Sequence, residues 1–392
     1  MTFDQAYFDA GVDRRGTQCE KRDDPRVLPE GGVPLWVADM DFPCAPAVVE
    51  AVRRRAAHPC YGYSSGAAEE ECTAALCAFW RRRHGLALQT EQCVTLPCVI
   101  TGLKICVRLF TKPGDAVAMF TPVYGPFYEA VRLNGRRAAA VPLLPDGAGR
   151  YPMNLKGMED TLKAGARLIM LCNPHNPVSR LWTKEELTAL AELAAAYDVR
   201  IVSDEIHADF VYAPGAFTPI LSVEKAKGRA VMLCSASKSF NVAGLQQAAA
   251  AALDPALTEA IRREMEECGV TAGNIFAMAA ATAAYRDGDE WLDGLLRYLD
   301  GSRKLLREYT EARLPRARLS PVEATYLGWL DLRAYGFFCD ELRIRCARQG
   351  VAFTGGTFFG PEGEGFLRVN FGCPRRQLTA GMDRLRRALE EE

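Results

Sequence analysis

Residues 229–241 read RAVMLCSASKSFN, an apolar strand-like segment that runs into a serine-rich turn with one lysine. Short apolar segments of this kind are typical of strands buried in a parallel sheet. The amine of Lys238 can form a Schiff base with an aldehyde, and the hydroxyls of Ser235 and Ser237 can hold a phosphate. The turn therefore suggests pyridoxal 5′-phosphate (PLP), which carries both groups, although a surface lysine in a serine-rich turn fits the same residues.

Similar apolar segments alternate with helix-like segments through the middle of the chain. Strands are predicted at Cys93–Leu96, 116–120, 137–141, 167–172, 200–203 and 229–233. Helices are predicted at Val99–Phe110, 124–133, 184–197 and 255–268. This alternation predicts an α/β fold with a mainly parallel sheet and helices on both faces. Active-site residues are then expected beyond the carboxyl ends of the strands.

The C-terminal part of the chain follows a different pattern. A long helical stretch, a strand, a helix and a strand are predicted at 275–311, 326–331, 338–349 and 366–370. A chain of 392 residues is also too long for one ordinary core. We therefore predict a large domain at 47–280 and a smaller α+β domain made of 1–46 and 281–392.

The composition is typical of a globular enzyme and argues against nucleic-acid or membrane partners. The chain has 48 basic and 49 acidic side chains, so it lacks the basic excess that a polyanion or an anionic membrane attracts. No apolar run is long enough to span a bilayer, and the alanine-rich segment 247–253 is too short. We expect neither a nucleic-acid partner nor membrane association.

The cysteines and the first residues predict a cytoplasmic protein. The 14 cysteines are scattered without a Cys-x-x-Cys pair, so we expect buried thiols rather than disulfides or a metal site. The start, MTFDQ, lacks the basic and apolar regions of a signal peptide.

Polar residues that could bind a pyridine ring follow two of the predicted strands. Asp204 ends the segment 200–203, where a buried carboxylate is costly unless it faces a cation such as a protonated pyridine nitrogen. It also fits as the N-cap of the next segment. His207 can reach the phenolic oxygen of the ring or pack as a core side chain. The segment 173–177, NPHNP, offers an amide to an anionic oxygen or forms an ordinary turn.

Three other segments offer groups for the ring, the phosphate and the substrate. Tyr124, in a proline-rich turn after the strand 116–120, can stack on a pyridine ring. The segment 96–102 places N–H groups at a helix start, which suits a phosphate. Arg368 alternates with apolar residues, so it can face inward and bind a substrate carboxylate by two hydrogen bonds, or face outward.

Taken together, these motifs resemble the fold-type I PLP enzymes of the aminotransferase class I/II superfamily. Within it the chain is similar to the MalY/PatB-type cystathionine β-lyases, also called carbon–sulfur lyases. The likeness covers nearly the whole chain, and its segments include DRRGT at 13–17, WVADMDF at 36–42, YGYS at 61–64 and DEIH at 204–207. It implies a homodimer that cleaves the Cβ–S bond of cystathionine or a related S-substituted cysteine to thiol, pyruvate and ammonia.

The resemblance also implies how the residues around the cofactor ring act. Lys238 holds PLP and moves the Cα proton of the substrate. Asp204 pairs with the pyridine nitrogen. Asn176 and His207 contact the phenolic oxygen, and Tyr124 stacks on the ring.

The phosphate and the substrate carboxylate have implied ligands of their own. The resemblance assigns the phosphate to the amides of Val99 and Ile100, the hydroxyls of Ser235 and Ser237, and Tyr63 of the partner subunit. The substrate carboxylate is assigned to the backbone of Ala38 and to Arg368.

Two positions depart from the family pattern. Ser179 stands where a glycine is usual, and if φ is positive there, serine costs about 1 kcal/mol. Gln246 stands where many aminotransferases have a phosphate-binding arginine, which favours the lyase group.

Two other functions are compatible with these residues. An aminotransferase shares the early steps of the reaction and needs the same lysine and aspartate. A PLP-fold regulatory protein that binds a transcription factor would keep the fold without depending on catalysis.

Overall fold

The computed structural model describes residues 2–271 and 273–391 of the chain. Its helices are α1 (Gln5–Ala10), α2 (Glu20–Asp23), α3 (Pro46–Ala57), α4 (Gly66–His84), α5 (Val99–Phe110), α6 (Pro126–Arg132), α7 (Leu155–Lys163), α8 (Lys184–Ala196), α9 (Ala236–Ser239), α10 (Pro255–Glu267), α11 (Ile275–Asp287), α12 (Asp289–Arg313), α13 (Cys339–Arg348) and α14 (Arg375–Glu390). Its strands are β1 (Val33–Pro34), β2 (Cys93–Leu96), β3 (Ala116–Thr121), β4 (Arg137–Pro142), β5 (Ala166–Cys172), β6 (Arg200–Asp204), β7 (Ala230–Cys234), β8 (Ala248–Ala251), β9 (Arg318–Leu319), β10 (Leu327–Asp331), β11 (Val351–Ala352), β12 (Thr354–Gly355) and β13 (Phe366–Asn370).

The central sheet has the strand order β2-β8-β7-β6-β5-β3-β4. The five strands from β7 to β4 in this order pair in parallel, whereas β8 runs antiparallel to β2 and β7. Register places Cys172 beside Asp204, and Asp204 beside Leu233. The segments that follow β5, β6 and β7 therefore emerge at one edge of the sheet. The predicted α/β fold with a mainly parallel sheet is confirmed.

Apolar side chains cover both faces of this sheet. Successive residues of β3 alternate between two buried clusters, with Ala118 and Phe120 in one and Val117 and Met119 in the other. Helices pack over each cluster, which explains why the central strands are apolar throughout rather than alternately polar. No helix in the described part of the chain is long and apolar enough to cross a bilayer.

A smaller antiparallel sheet, with the order β12-β13-β10-β9, forms in the C-terminal part. Arg368 of β13 lies opposite Trp329 of β10 and Thr354 of β12. The N-terminal arm reaches this part of the molecule, because β1 pairs in parallel with β11. The domain boundaries at 46/47 and 280/281 stay a prediction.

Two helical stretches differ from their predicted bounds by more than one residue at an end. The stretch 275–311 was expected to be one helix, but it divides at Gly288 into α11 and α12. A Cβ at Gly288 would meet the ring of Phe240 at 2.2 Å, so the close approach requires glycine, which is a poor helix former. Helix α6 starts at Pro126 rather than at residue 124, since proline favours the first helical turn.

The strand β8 was not predicted. It consists of four buried alanines, and alanine prefers helices to strands. All four side chains are buried where β8 lies between β2 and β7. Tertiary packing therefore overrides the local preference here.

Candidate active site

A cavity of about 160 Å³ opens at the edge of the sheet where β5, β6 and β7 end. The residues around it include ten that were predicted from the sequence: Ala38, Val99, Ile100, Tyr124, Asn176, Asp204, His207, Ser235, Ser237 and Lys238. Arg368 lies behind this lining and reaches it through Asn176. The parallel register brings these side chains together from segments far apart in sequence.

Lys238 lies on the short helix α9, directly after β7. Its amine donates a hydrogen bond to the carbonyl of Ala38 at 2.6 Å. Burial lowers the pKa of this amine to about 8, although the nearby charge of Asp39 acts in the opposite direction. A fraction of the amine is therefore unprotonated near neutral pH, which is the form that attacks carbonyl carbon or accepts a proton.

Asp204 ends β6 and borders the cavity with a buried carboxyl group. One oxygen, Oδ1, accepts a hydrogen bond from the amide of Ile206 at 3.1 Å, so the side chain closes a turn rather than capping a helix. No basic side chain forms an ion pair with it among the described residues. Burial accordingly raises the pKa of Asp204 to about 7, and a cation in the cavity would reverse that shift.

His207 is buried beside Asp204. Its ring packs edge-on to Tyr326, with centroids 5.8 Å apart. Burial lowers the pKa of His207 to about 3, so the ring is neutral at physiological pH. The Nδ1 atom finds no hydrogen-bond partner within the part of the chain that the structure describes, which leaves it available to a ligand.

Arg368 and Asn176 meet at the far side of the cavity. The Arg368 guanidinium donates to Asn176 Oδ1 at 3.4 Å and to the carbonyl of Trp36 at 2.7 Å. It is buried without a carboxylate partner among residues 2–271 and 273–391, and its Nε hydrogen has no acceptor there. Burial lowers the pKa of Arg368 to about 10, as expected for a buried cation that lacks a counter-charge.

The phosphate ligands predicted within the chain itself border the same cavity. Val99 and Ile100 open helix α5, where backbone N–H groups have no partner within the helix. Ser235 is partly engaged already, because its hydroxyl donates to the carbonyl of Gln247 at 2.5 Å and accepts from the amide of Ser237 at 3.0 Å. The helix dipole and the free amides at the start of α5 suit an anion, whereas the Ser235 hydroxyl must turn away from Gln247 to donate to one.

Tyr124 and Tyr63 occupy different surroundings. Tyr124 borders the cavity with its ring centroid 6.0 Å from that of Phe358. Tyr63 is fully exposed on the loop before α4 and does not line the cavity of its own chain. Its assignment to the phosphate of the partner subunit stays a prediction.

The segment 36–42, which contacts Lys238 through Ala38, carries two aspartates that belong to a cluster of buried and half-buried charges. We call it the Arg14–Asp41 cluster: Arg14, Lys21, Asp39 and Asp41. Arg14 donates to Asp39 at 2.7 and 2.9 Å and to Asp41 at 3.0 Å. Lys21, almost wholly buried, lies 3.0 Å from Asp41. Burial alone would raise the pKa of Asp39. The hydrogen bonds from Arg14 and the charge of Lys21 outweigh burial and bring the pKa below its ordinary value, so the carboxylate stays charged. The segments 13–17 and 36–42, noted separately in the sequence, thus form one unit.

Sequence reasoning missed other residues of the site. Cys98, Cys172, Ile206, Ala243 and Gln247 also border the cavity. Asn241 holds the segment 36–42 in place, since its side chain accepts from the amide of Met40 and donates to the carbonyls of Met40 and Phe42. Asn241 could have been identified from the sequence, because it lies three residues after Lys238 in the same motif. Gln247 could have been found as a polar residue before an alanine run.

The two departures from the family pattern have visible consequences. Ser179 has φ of 55°, so this position does require left-handed backbone. Its side chain is buried and bonded to Thr325. Gln246 borders the cavity at its exposed side and also has positive φ, at 58°.

A larger groove, of about 1140 Å³, lies elsewhere, along residues 145–151, 181–184, 212–218 and 303–333. Two ion pairs form between its own lining residues, Arg150 with Glu323 at 2.6 Å and Arg333 with Asp331 at 2.7 Å. The smaller cavity is the better candidate, because it collects the buried titratable groups that lack protein partners.

Comparisons with known proteins agree with this geometry. Residues 31–385 match the family model described as aminotransferase class I and II. The chain belongs to the aminotransferase class I and II family. The family membership predicted from the sequence is therefore confirmed.

Individual members of the family extend the likeness over nearly the full length. Cystathionine beta-lyase PatB of Bacillus subtilis is 37% identical, over 97% of this chain and 99% of its own. The PLP-bound C-S lyase of Staphylococcus hominis superposes with a TM-score of 0.90 at 29% identity, covering 98% of each chain. Cystalysin of Treponema denticola, which contains PLP, gives 0.92 at 27% identity, over 97% of this chain and 98% of its own. The predicted likeness to the MalY/PatB-type lyases is confirmed.

Proposed function

We propose that the protein is a PLP-dependent carbon–sulfur lyase that cleaves the Cβ–S bond of cystathionine or a related S-substituted cysteine. With water, the reaction gives a thiol, pyruvate and ammonia. The observation that carries the proposal is the cavity that joins a half-buried lysine, a buried aspartate without a cation and a buried arginine without a carboxylate. The relatives named as cystathionine beta-lyase and C-S lyase support the same reaction.

The residues present fit PLP. The unpaired Asp204 carboxyl suits a protonated pyridine nitrogen, and the orphaned Nδ1 of His207 and the amide of Asn176 suit an anionic oxygen. The start of α5, with Val99 and Ile100, suits a phosphate. Bound PLP supplies an aldehyde for the lysine and a pyridine ring that withdraws electrons.

Lys238 is the proposed proton carrier. Its amine, with a pKa near 8, is matched to proton transfer close to neutral pH. The Ala38 carbonyl accepts from the amine and so directs it toward the cavity. Because segment 36–42 carries this carbonyl, the Arg14–Asp41 cluster holds the amine in place from a distance.

Arg368 is proposed to bind the substrate carboxylate. Its contacts to Trp36 and Asn176 fix the guanidinium plane, while the Nε hydrogen remains for a ligand. The carbonyl of Ala38 accepts from Lys238 and Tyr326, and the group of Ala38 that can donate to a carboxylate is its backbone N–H. Holding the substrate at this point orients the Cα–H bond toward the lysine, and such positioning contributes much of an enzyme's rate.

Larger-scale features belong to the same proposal. The enzyme would act as a homodimer in which Tyr63 of the partner subunit completes the phosphate site, and would divide into the two domains predicted from the sequence. A reducing, cytoplasmic location is supported by the fourteen cysteines, all of which are free thiols.

An aminotransferase is the second candidate, favoured by the description of the matched family. The two are separated by incubating the purified, PLP-saturated protein with L-cystathionine, with and without an added 2-oxo acid as amino acceptor. The lyase releases pyruvate and thiol in equal amounts without the acceptor. Amino-group transfer that depends on the acceptor, with no thiol released, would contradict the proposal.

A further inference from the structure

Two residues other than glycine adopt left-handed backbone beside the site and contact each other. Ser179 has φ of 55° and Thr325 has φ of 63°. This conformation is uncommon for any residue with a side chain and is a genuine outlier for a β-branched one such as threonine. Both side chains are buried, with exposures of 1% and 0%. Backbone strain of this kind persists only where the surroundings enforce it, and it clusters at functional sites.

The two hydroxyls belong to a closed set of hydrogen bonds. Ser179 Oγ lies 2.9 Å from Thr325 Oγ1 and donates to the carbonyl of Leu327. The Leu327 amide donates to Thr325 Oγ1 at 3.2 Å. Because the Ser179 hydroxyl uses its hydrogen in the bond to the Leu327 carbonyl, the Thr325 hydroxyl must be the donor between the two hydroxyls. Each hydroxyl therefore both donates and accepts. The Ser179 carbonyl adds further bonds, accepting from the amides of Glu323 and Ala324, each at 3.1 Å.

This contact joins two segments that carry groups of the site. Ser179 follows Asn176 in the loop after β5, and Asn176 meets Arg368. Thr325 directly precedes Tyr326, whose hydroxyl donates to the carbonyl of Ala38 at 2.8 Å. That carbonyl also accepts from the amine of Lys238. A shift of either segment would therefore move a contact of the lysine or of the substrate arginine.

We infer that Ser179 and Thr325 form a clamp that positions Asn176 and Tyr326 around the lysine. The serine hydroxyl is the part of the clamp that acts, since without it only a long contact of 3.5 Å remains between the threonine hydroxyl and the Leu327 carbonyl. Ser179 is thus a positioning residue, and its kinetic effect rests on the proposed function, whereas its effect on stability does not.

The stability effect is measured by a double-mutant cycle on the purified protein. Ser179→Ala and Thr325→Val are each expected to shift the urea unfolding constant about tenfold toward the unfolded state. The unfolding constant of the double variant should also shift only about tenfold, rather than the roughly hundredfold expected for independent effects, because either change alone breaks the clamp. Ser302→Ala is the matched control, because the hydroxyl of this buried serine bonds within helix α12. In the double variant with Thr325→Val, the shift of the unfolding constant should equal the product of the two single shifts.

The kinetic effect is measured with Ser179→Gly. Glycine adopts positive φ without strain, and this relief offsets the loss of the hydroxyl, so the variant should keep a stability close to that of the wild type. We expect kcat/KM for thiol release to fall at least tenfold, mainly in kcat, because small displacements of catalytic groups are costly. Thr325→Ser keeps the hydroxyl and should retain wild-type kinetics.

Two results would overturn the inference: wild-type kcat/KM in Ser179→Gly, or independent effects of Ser179→Ala and Thr325→Val on unfolding. Failure of the proposed function gives a different result, namely no thiol release by the wild type. In that case the unfolding cycle still decides whether the clamp exists.

Discussion

At the scale of single residues, Asp204 has the most informative electrostatics. In the protein without cofactor, burial raises its pKa from 3.8 to about 7. Between about pH 4 and 7 the folded protein therefore keeps a proton that the unfolded chain has released. Over this window the free energy of unfolding falls as pH rises, by at most about 1.4 kcal/mol per pH unit for this group.

The prediction concerns Asp204→Asn, which cannot titrate. Relative to the wild type, the cofactor-free variant should gain roughly 3 kcal/mol of stability between pH 4.5 and pH 8, as measured by urea unfolding. Groups that titrate in both proteins cancel in this comparison. Saturation with PLP should abolish the gain, because the wild-type carboxylate then faces a cation. An equal pH dependence of the two cofactor-free proteins would show that Asp204 is not held neutral by burial.

Arg368 provides a second residue-scale prediction. Arg368→Ala should lower kcat/KM for L-cystathionine about 30-fold or more, since removing one partner of a buried charge pair costs roughly 2–5 kcal/mol. Arg368→Lys should recover little, because an ammonium cannot make the paired hydrogen bonds of a guanidinium. Substrate analogues without the carboxylate serve as the control and should lose much less. Equal losses for both kinds of substrate would assign Arg368 a purely structural role.

At the scale of elements, the Arg14–Asp41 cluster joins the N-terminal arm to the segment above the lysine. We predict that Lys21→Met lowers the free energy of unfolding by about 3–5 kcal/mol, because it leaves Asp41 short of a buried cation. Arg15→Met is the matched control, since Arg15 pairs with Asp13 at the surface and should cost at most about 1 kcal/mol. Urea unfolding of both variants measures the difference. Equal costs would show that the cluster adds nothing beyond surface pairing.

The elements also show how far the sequence predicts the site. The residues that end β5, β6 and β7 could be predicted, because short apolar runs followed by polar turns define the carboxyl edge of a parallel sheet. Strand β8 could not, since its alanines prefer a helix and packing decides otherwise. The Arg14–Asp39 contact spans 25 residues and the Ser179–Thr325 contact 146, and neither leaves a periodic signal in the sequence.

At the scale of the whole molecule, the proposed dimer places Tyr63 in the site of the other subunit. A variant without Tyr63 and one without Lys238 should then complement each other. In a mixed dimer of Tyr63→Ala and Lys238→Ala, one site keeps both residues and the other loses both. Unfolding and refolding the two variants together should therefore restore about a quarter of the wild-type activity, as random pairing predicts.

Size-exclusion chromatography provides the matching check on assembly. The wild type should elute as a dimer at assay concentration. Tyr61→Phe is the control for complementation, because Tyr61 is a neighbouring tyrosine bonded within its own chain. A refolded mixture of Tyr61→Phe and Lys238→Ala should be no more active than the Tyr61→Phe protein that it contains. An active monomer, or a mixture no more active than its parts, would contradict the shared site.

The central claim is that Lys238, in the cavity bordered by Asp204, is the residue on which carbon–sulfur bond cleavage depends. The most direct measurement compares the wild type with Lys238→Ala, each saturated with PLP, for pyruvate and thiol release from L-cystathionine. The wild type should release both in equal amounts, and the variant should lose at least about a thousandfold in rate, as expected when a proton-transferring group is removed. Pyruvate release by Lys238→Ala at a rate near that of the wild type would contradict the account.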